Sequence, residues 1–456
     1  MKRFFLPCFF IFCLFSVSAD SFAGEQAYSA APTVLPNVTR AMKTPGYWIS
    51  RHPSPDQLLL TSEGVQRFNT RVKNDLNLAK DILQLPEQVS GVDLRASLEK
   101  VWSDFKSKNY FAGDKKASAS FYDDIKKQMN LEGLPEQVPV RFGFIVHLAD
   151  QRFFPTGQGL FEKKNDIYFD ELQNSDLDIG TPAAVVHHSL DGGWLYVLTN
   201  MTDGWVKTEN VALAAREQVA EFFNARPGTQ GGVIVSAKAD IFLDEQLTEF
   251  YDYARMGTPL PIQQISEIGF SEVSLPLRMD DGNVIVKTVY IKSEDIHKGF
   301  LPYTPRRIIE QAFKMLNAPY GWGGMNGEQD CSRFLAEVFG TFGMHLPRNS
   351  KEQAQAGRPV ARFDIGAPDE KKLKALRDAA GGVTVLPMKG HIMIYLGMAD
   401  DRPYAIHAVW AYRQPGKRKD AVRVINRVAV TDLFLGEGSQ KGSLLKRLNA
   451  VVLMAQ

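Results

Sequence analysis

At 456 residues the chain is too long for a single core and suggests about three domains, while 44% hydrophobic and 23% charged residues are the proportions of an ordinary globular protein. Its 53 basic and 52 acidic residues nearly cancel, which speaks against a protein steered toward nucleic acid or another acidic polymer. Substrate recognition then has to come from local contacts.

Lys2 and Arg3, an apolar run from Phe4 to Val17 and small residues from Ala19 to Ala23 form the three zones of a secretory signal, residues 1–23. The run is shorter than the roughly 20 residues of a spanning helix. No cysteine has a lipid-attachment context, and no later stretch is long enough to span. The expectation is an exported protein of the periplasm or cell envelope, with no stable membrane insertion after cleavage. Removing the signal takes two basic residues and one acidic one, so the mature chain is neutral, and it takes Cys8 and Cys13 as well. Cys331 is then a lone thiol with no disulfide partner, and a zinc ribbon is excluded.

Residues 24–135 read as a helical domain. Val72, Leu76, Ala79 and Leu83 recur at helical spacing, as do Leu94, Leu98, Val101, Trp102 and Phe105. From Val140 short apolar runs are broken by tight turns such as Asp191-Gly192-Gly193 and Asp280-Asp281-Gly282-Asn283. This predicts two small β-barrels, 136–222 and 223–300, joined by a helix near Arg216–Phe223. Trp194 and Trp205 are expected in a barrel core. Residues 301–456 read as an α+β domain: a helix over Pro305–Leu316, a second helix capped by Asp330, a helical insertion over Asp369–Asp378, then strands at Ile392–Leu396 and Tyr404–Val409.

Cys331 falls in the first turn of a helix, where free N–H groups and the helix dipole favour a thiolate and where its own N–H can meet an oxyanion. A cysteine nucleophile needs a base, and the base needs an orienting group. His391 and His407 fall on consecutive strands at heights that place them opposite each other on one face of a hairpin. The adjacent His187 and His188 face opposite sides of their strand and cannot chelate together. No metal-binding spacing occurs, and the glycine-rich Gly321–Gly327 stretch lacks the lysine of a phosphate loop, so no metal and no cofactor are expected.

Pro319-Tyr320-Gly321-Trp322-Gly323-Gly324, Asp330-Cys331-Ser332, Leu346-Pro347-Arg348-Asn349-Ser350 with Gln353, Gly390-His391-Ile392 and Ile406-His407-Ala408 together resemble the NlpC-type family of bacterial cell-wall cysteine peptidases. The resemblance implies a papain-like C-terminal domain behind a helical N-terminal domain and two bacterial SH3-like barrels. It implies that Cys331 is the nucleophile, His391 the base, and His407 the residue orienting it. It further implies that Tyr320, Asp330, Ser332 and Ser350 line the substrate site, with Asp330 a partner for a substrate ammonium group. An acidic residue from the first barrel, which the sequence does not place, is expected beside them. The implied reaction is cleavage of the γ-D-glutamyl–diamino-acid amide in peptidoglycan stem peptides, murein tri- and tetrapeptides, with a free N-terminal L-alanine. A thiol amidase cutting another wall amide, such as N-acetylmuramoyl-L-alanine, and a non-catalytic wall-binding protein are the alternatives.

Overall fold

A computed structural model describes residues 28–225 and 231–455. The expected signal, residues 1–23 with Cys8 and Cys13, lies outside them. Three seven-stranded sheets divide the chain.

The first sheet holds strands from Arg141–Ile145 to Val211–Ala214, with Gln173–Leu177 at one edge. The second runs from Gly231–Ile234 to Ile296–Lys298. Helix Arg216–Asn224 joins them where the sequence places it. Trp205 is fully buried in the first, while Trp194 packs at the periphery.

The third sheet has the order Tyr28–Ala30, Ala421–Asp432, Arg402–Gln414, His391–Ala399, Thr384–Met388, Ala450–Leu453, Arg358–Arg362. Helix Cys331–Gly340 lies against it, burying Phe334, Leu335, Val338 and Phe339 completely. Each such side chain contributes about 1.5–3 kcal/mol by leaving water. Asp330 accepts a hydrogen bond from the Arg333 N–H (2.8 Å), starting the helix and fixing where Cys331 sits.

The N-terminal helices do not share one core. Leu35, Met42, Trp48, Phe68 and Val72 pack into the core of the third sheet, whereas Leu94, Leu98, Trp102 and Phe105 pack with Phe154, Leu172 and Trp205 of the first barrel. Helical periodicity identifies an apolar face but not the surface that covers it. The expected helical run through Leu76–Leu83 also stops early. Helix Ser62–Thr70 ends in a widened turn over Arg71–Asp75, and Asn77 takes φ +52°.

Candidate active site

Three pieces of chain meet at Cys331. Its thiol lies against the backbone N–H of Ile392, the residue after His391. His391 Nε2 is 2.5 Å from His407 Nδ1, and His407 Nε2 is 2.8 Å from Thr431 Oγ1 on the next strand. With Nε2 committed to His407, Nδ1 is the His391 nitrogen left for the thiol. The chain is consistent with one assignment: His391 Nε2–H donates to His407, and His407 Nε2–H donates to Thr431. Thr431 was not foreseen; its place across from Ala405 and one residue from the partner of Ile406 is visible only in the pairing of Arg402–Gln414 with Ala421–Asp432.

The histidines meet, though not in the predicted register. Ile394 pairs with Ile406 and Tyr395 with Ala405, so His407 stands across from Met393, two residues from His391. The slip arises at the turn, which falls at Asp400-Asp401 with Ala399 paired to Arg402, later than expected; a bulge between Tyr395 and Gly397, whose φ of +131° suits glycine alone, then takes one residue back. Two residues is one full pleat, so both imidazoles still share a face and bond diagonally.

Asp330 does more than cap. Arg348 donates from Nη2 to Oδ2 (2.8 Å) and from Nη1 to Oδ1 (3.2 Å), while Ser332 Oγ and the Arg333 N–H also donate to Oδ1. Burial works against the charged form, but Arg348 outweighs it and holds the carboxyl below its usual range. The carboxylate is therefore already neutralised from within, and both oxygens are occupied. Arg348 continues to Ser332 Oγ (3.0 Å) and, through Nε, to Ser175 Oγ of the first barrel (2.8 Å). Gln353 clamps the Ser332 and Pro347 carbonyls (2.8 and 2.9 Å). Arg348 and Gln353 stood in the sequence motif without a role. Ser350 starts helix Ser350–Ala356 two residues beyond Arg348, and no hydrogen bond joins it to this group.

The thiol does not follow the helix-end expectation. Burial, and then the charge of Asp330, push Cys331 up to about 12, against the opposing pull of the Ile392 N–H, Arg348 and the Ser332 N–H. Burial likewise lowers His391 to about 3, with Arg447 adding to it and Asp330 opposing. Burial thus disfavours the charged form of each, against the pull that the helix start offers a thiolate. Tyr320, close enough to feel Cys331 and Asp330, is held protonated by burial and by those two groups.

The first barrel forms one wall. Gln173 Nε2 donates to Asp150 Oδ1 (2.7 Å) and reaches the Gly323 carbonyl (3.4 Å). Trp322 Nε1 donates to the Asp170 carbonyl (3.2 Å). Gly324 has φ +91°, and a Cβ there would sit 2.1 Å from Asp176 Cγ, so the loop after Tyr320 presses its bare backbone onto the barrel. Above it Tyr168 lies 4.3 Å from Trp410, and Phe169 contacts both Trp322 and Trp410 edge-on at 5.2 Å. Among the described residues no cluster of three metal-binding side chains occurs, and no helix is long and apolar enough to cross a membrane.

Comparison with known proteins places this geometry. Residues 317–409 match the NlpC/P60 family, and residues 159–207, inside the first barrel, match an SH3 domain of the SH3b1 type. The chain thus carries a C-terminal NlpC/P60 domain and an SH3b-like domain. It is 30% identical over 109 residues to the γ-D-glutamyl-L-lysine dipeptidyl-peptidase of Bacillus subtilis, and 31% identical over 86 residues to the bifunctional muramidase/DL-endopeptidase CwlT of the same organism. Those matches cover 23% and 18% of this chain and only 37% and 26% of the relatives. An NlpC/P60 endopeptidase from Photobacterium damselae subsp. piscicida superposes with a TM-score of 0.72 over 94% of this chain and 97% of the other, at 19% identity, a likeness of fold.

Proposed function

We propose that this NlpC/P60 domain is a peptidoglycan γ-D-glutamyl-L-diamino-acid endopeptidase, with Cys331 as nucleophile, His391 as general base and acid, and His407 orienting His391. The observation that carries the reading is the buried thiol beside a His391–His407–Thr431 relay whose hydrogen bonds leave one imidazole nitrogen for the thiol. In the first step the Sγ–H proton passes to His391 Nδ1 as sulfur attacks the γ-carbonyl carbon. The oxyanion meets the Cys331 N–H, which has no partner within its helix, with the Tyr320 hydroxyl beside it. His391 then gives its proton to the departing α-nitrogen of the diamino acid, leaving a thioester. Water, deprotonated by His391, hydrolyses the thioester and frees the thiol.

Because Asp330 is tied up by Arg348, the first barrel is the better source of a partner for a free L-alanine ammonium. Asp150 is exposed, and Gln173 links it to the Gly323 backbone. Ser332 and Arg348 shape the same wall. The aromatic contacts of Tyr168 and Phe169 narrow the approach, which supports short, free stem peptides over intact glycan strands. Such a substrate fits an envelope or periplasmic site of action.

Purified protein given L-Ala-γ-D-Glu-diamino-acid tripeptide releases the dipeptide L-Ala-D-Glu, identified by mass spectrometry, and Cys331→Ala stops release. Turnover surviving that substitution overturns the assignment. A product cut at N-acetylmuramoyl-L-alanine moves it to the amidase class.

A further inference from the structure

The near-neutral total charge hides an uneven placement. Strands Arg402–Gln414 and Ala421–Asp432, which carry His407 and Thr431, run on together beyond the His391–Ala399 strand. Their far end pairs Tyr412 with Arg423, Arg413 with Val422 and Gln414 with Ala421, and a turn closes it. Between positions 413 and 423 stand Arg413, Lys417, Arg418, Lys419 and Arg423, against one acid, Asp420.

Residues 414–419 are all exposed. The acid points inward: Asp420 is buried, and its carboxylate accepts the Gln440 N–H (2.8 Å). Arg413 has interactions of its own, so the uncancelled charge is carried by the other four cations. Arg423 donates to Gln414 Oε1 and Ser29 Oγ (both 2.6 Å), neutral partners that leave its charge in place. Lys417, Arg418 and Lys419 have no side-chain hydrogen bond or ion pair among the described residues. The tip is also braced. A Cβ at Gly416 would stand 2.2 Å from the Lys419 carbonyl, and one at Gly438 would stand 3.3 Å from Pro415 Cγ, so the turn closes tightly and rests on the 436–442 loop. That loop adds one exposed charge of each sign, Glu437 and Lys441.

Shape and composition select the partner. Small ligands need a concave site, and an exposed hairpin tip has no walls. A single nucleic-acid strand needs aromatic faces to stack on, and residues 413–423 contain none. A flat anionic lipid surface needs neither, and a cluster of at least four Lys and Arg side chains is enough to hold a protein there by charge. With no large apolar side chain in 414–419, such contact stops at the headgroups. The envelope setting above supplies a surface of this kind.

We propose that the ribbon tip, with Lys417, Arg418 and Lys419 in front and Arg423 behind them, is a peripheral docking surface for anionic phospholipid headgroups. His407 lies seven residues along the strand from Gln414, so a ribbon standing on the lipid holds the catalytic centre on the order of 20 Å above it. This holds whichever bond Cys331 cuts.

Sedimentation with vesicles tests it, using protein without the expected signal so that the apolar Phe4–Val17 run does not itself bind lipid. Vesicles of phosphatidylcholine alone should leave the protein in solution, and equal parts phosphatidylcholine and phosphatidylglycerol should bring it down. Binding should vanish between about 0.1 M and 1 M salt, where screening shortens from about 10 Å to 3 Å. Each cation is worth roughly a fivefold change in partitioning, so Lys417→Gln/Arg418→Gln/Lys419→Gln should weaken binding roughly a hundredfold. The charge-keeping Lys417→Arg/Arg418→Lys/Lys419→Arg should retain it, and both variants should unfold at the temperature of the intact protein. Equal binding to neutral vesicles, or binding that survives the glutamine substitutions, overturns the proposal. So does a tighter hold on murein sacculi or soluble polyphosphate that the glutamine variant loses, which would give the tip to a polymer instead.

Discussion

The two barrels each contribute a seven-stranded sheet to the same molecule, yet they touch opposite ends of the helix that carries Cys331. The first reaches its start: Ser175 takes a hydrogen bond from Arg348, which grips Asp330, and Gln173 meets the Gly323 carbonyl. The second sits at its far end. Gly257, at φ +83°, lies so near that a Cβ would stand 2.6 Å from the Glu337 carbonyl and 3.1 Å from the Gly340 Cα. Arg255 of the second barrel is buried against Asp176 and Asp178 of the first and near Glu337 of the helix, and Arg333 bonds Glu337 and Asp178. One barrel borders the chemistry, while the other supplies the charge that locks three units together.

Substitutions can break that division of labour. The largest effect is expected from Arg255→Met, which leaves the buried Asp176 and Glu337 and the half-buried Asp178 around a missing cation. Removing one partner of such a group costs about 3–5 kcal/mol. Thermal unfolding should shift down strongly, while kcat measured well below the transition stays near that of the intact protein. A lost kcat with unchanged stability would place the second barrel in the chemistry.

Ser175→Ala is expected to do the reverse. It removes one hydrogen bond, worth about 1 kcal/mol, but frees Arg348 to shift beside the proposed nucleophile. A fall of roughly tenfold in kcat/KM with little change in unfolding is expected, since small misplacements at a site are costly there. An unchanged kcat/KM would reduce the first barrel to a scaffold.

The smallest effect is a pH slope. Burial raises the Glu337 carboxyl from 4.5 to about 7, against the opposing charges of Arg255 and Arg333. The folded protein then holds a proton that the unfolded chain releases between those values, so this residue's contribution to stability is full below pH 4.5 and is lost as pH rises through 7. Denaturant titrations of the intact protein and Glu337→Gln should show the advantage of the natural residue shrinking across that window. A growing advantage would reverse the sign.

Much of this was legible in the sequence because it is local. Turn residues marked the strands, Asp330 marked a helix start, and Cys331, His391 and His407 stood in a recognisable order. The rest depended on partners far away in the chain. The slip of the histidine register comes from the place of the turn, at Asp400-Asp401, less the one residue taken back by a bulge between Tyr395 and Gly397, neither of which alternation reveals. The commitment of Asp330 comes from Arg348, itself positioned by a serine in another domain. Burial of the helix start pushes the thiol up, a direction opposite to the one its sequence position announces. The helices of 35–72 and 89–138 show similar apolar stripes, yet one covers the third sheet and the other the first barrel.

The strand Tyr28–Ala30 pairs in parallel with Val422–Val424, nearly the full chain length away. Asn37 reinforces the join by donating to Asp432 (2.8 Å), and its carbonyl accepts from the Tyr404 hydroxyl (2.7 Å). Such a contact makes loop closure slow relative to local folding. It also means that the sheet presenting His391 and His407 lacks its edge strand until residues near 430 have been released. A chain that emerges from its N-terminus therefore carries an incomplete cysteine centre through most of its synthesis, and assembles it last.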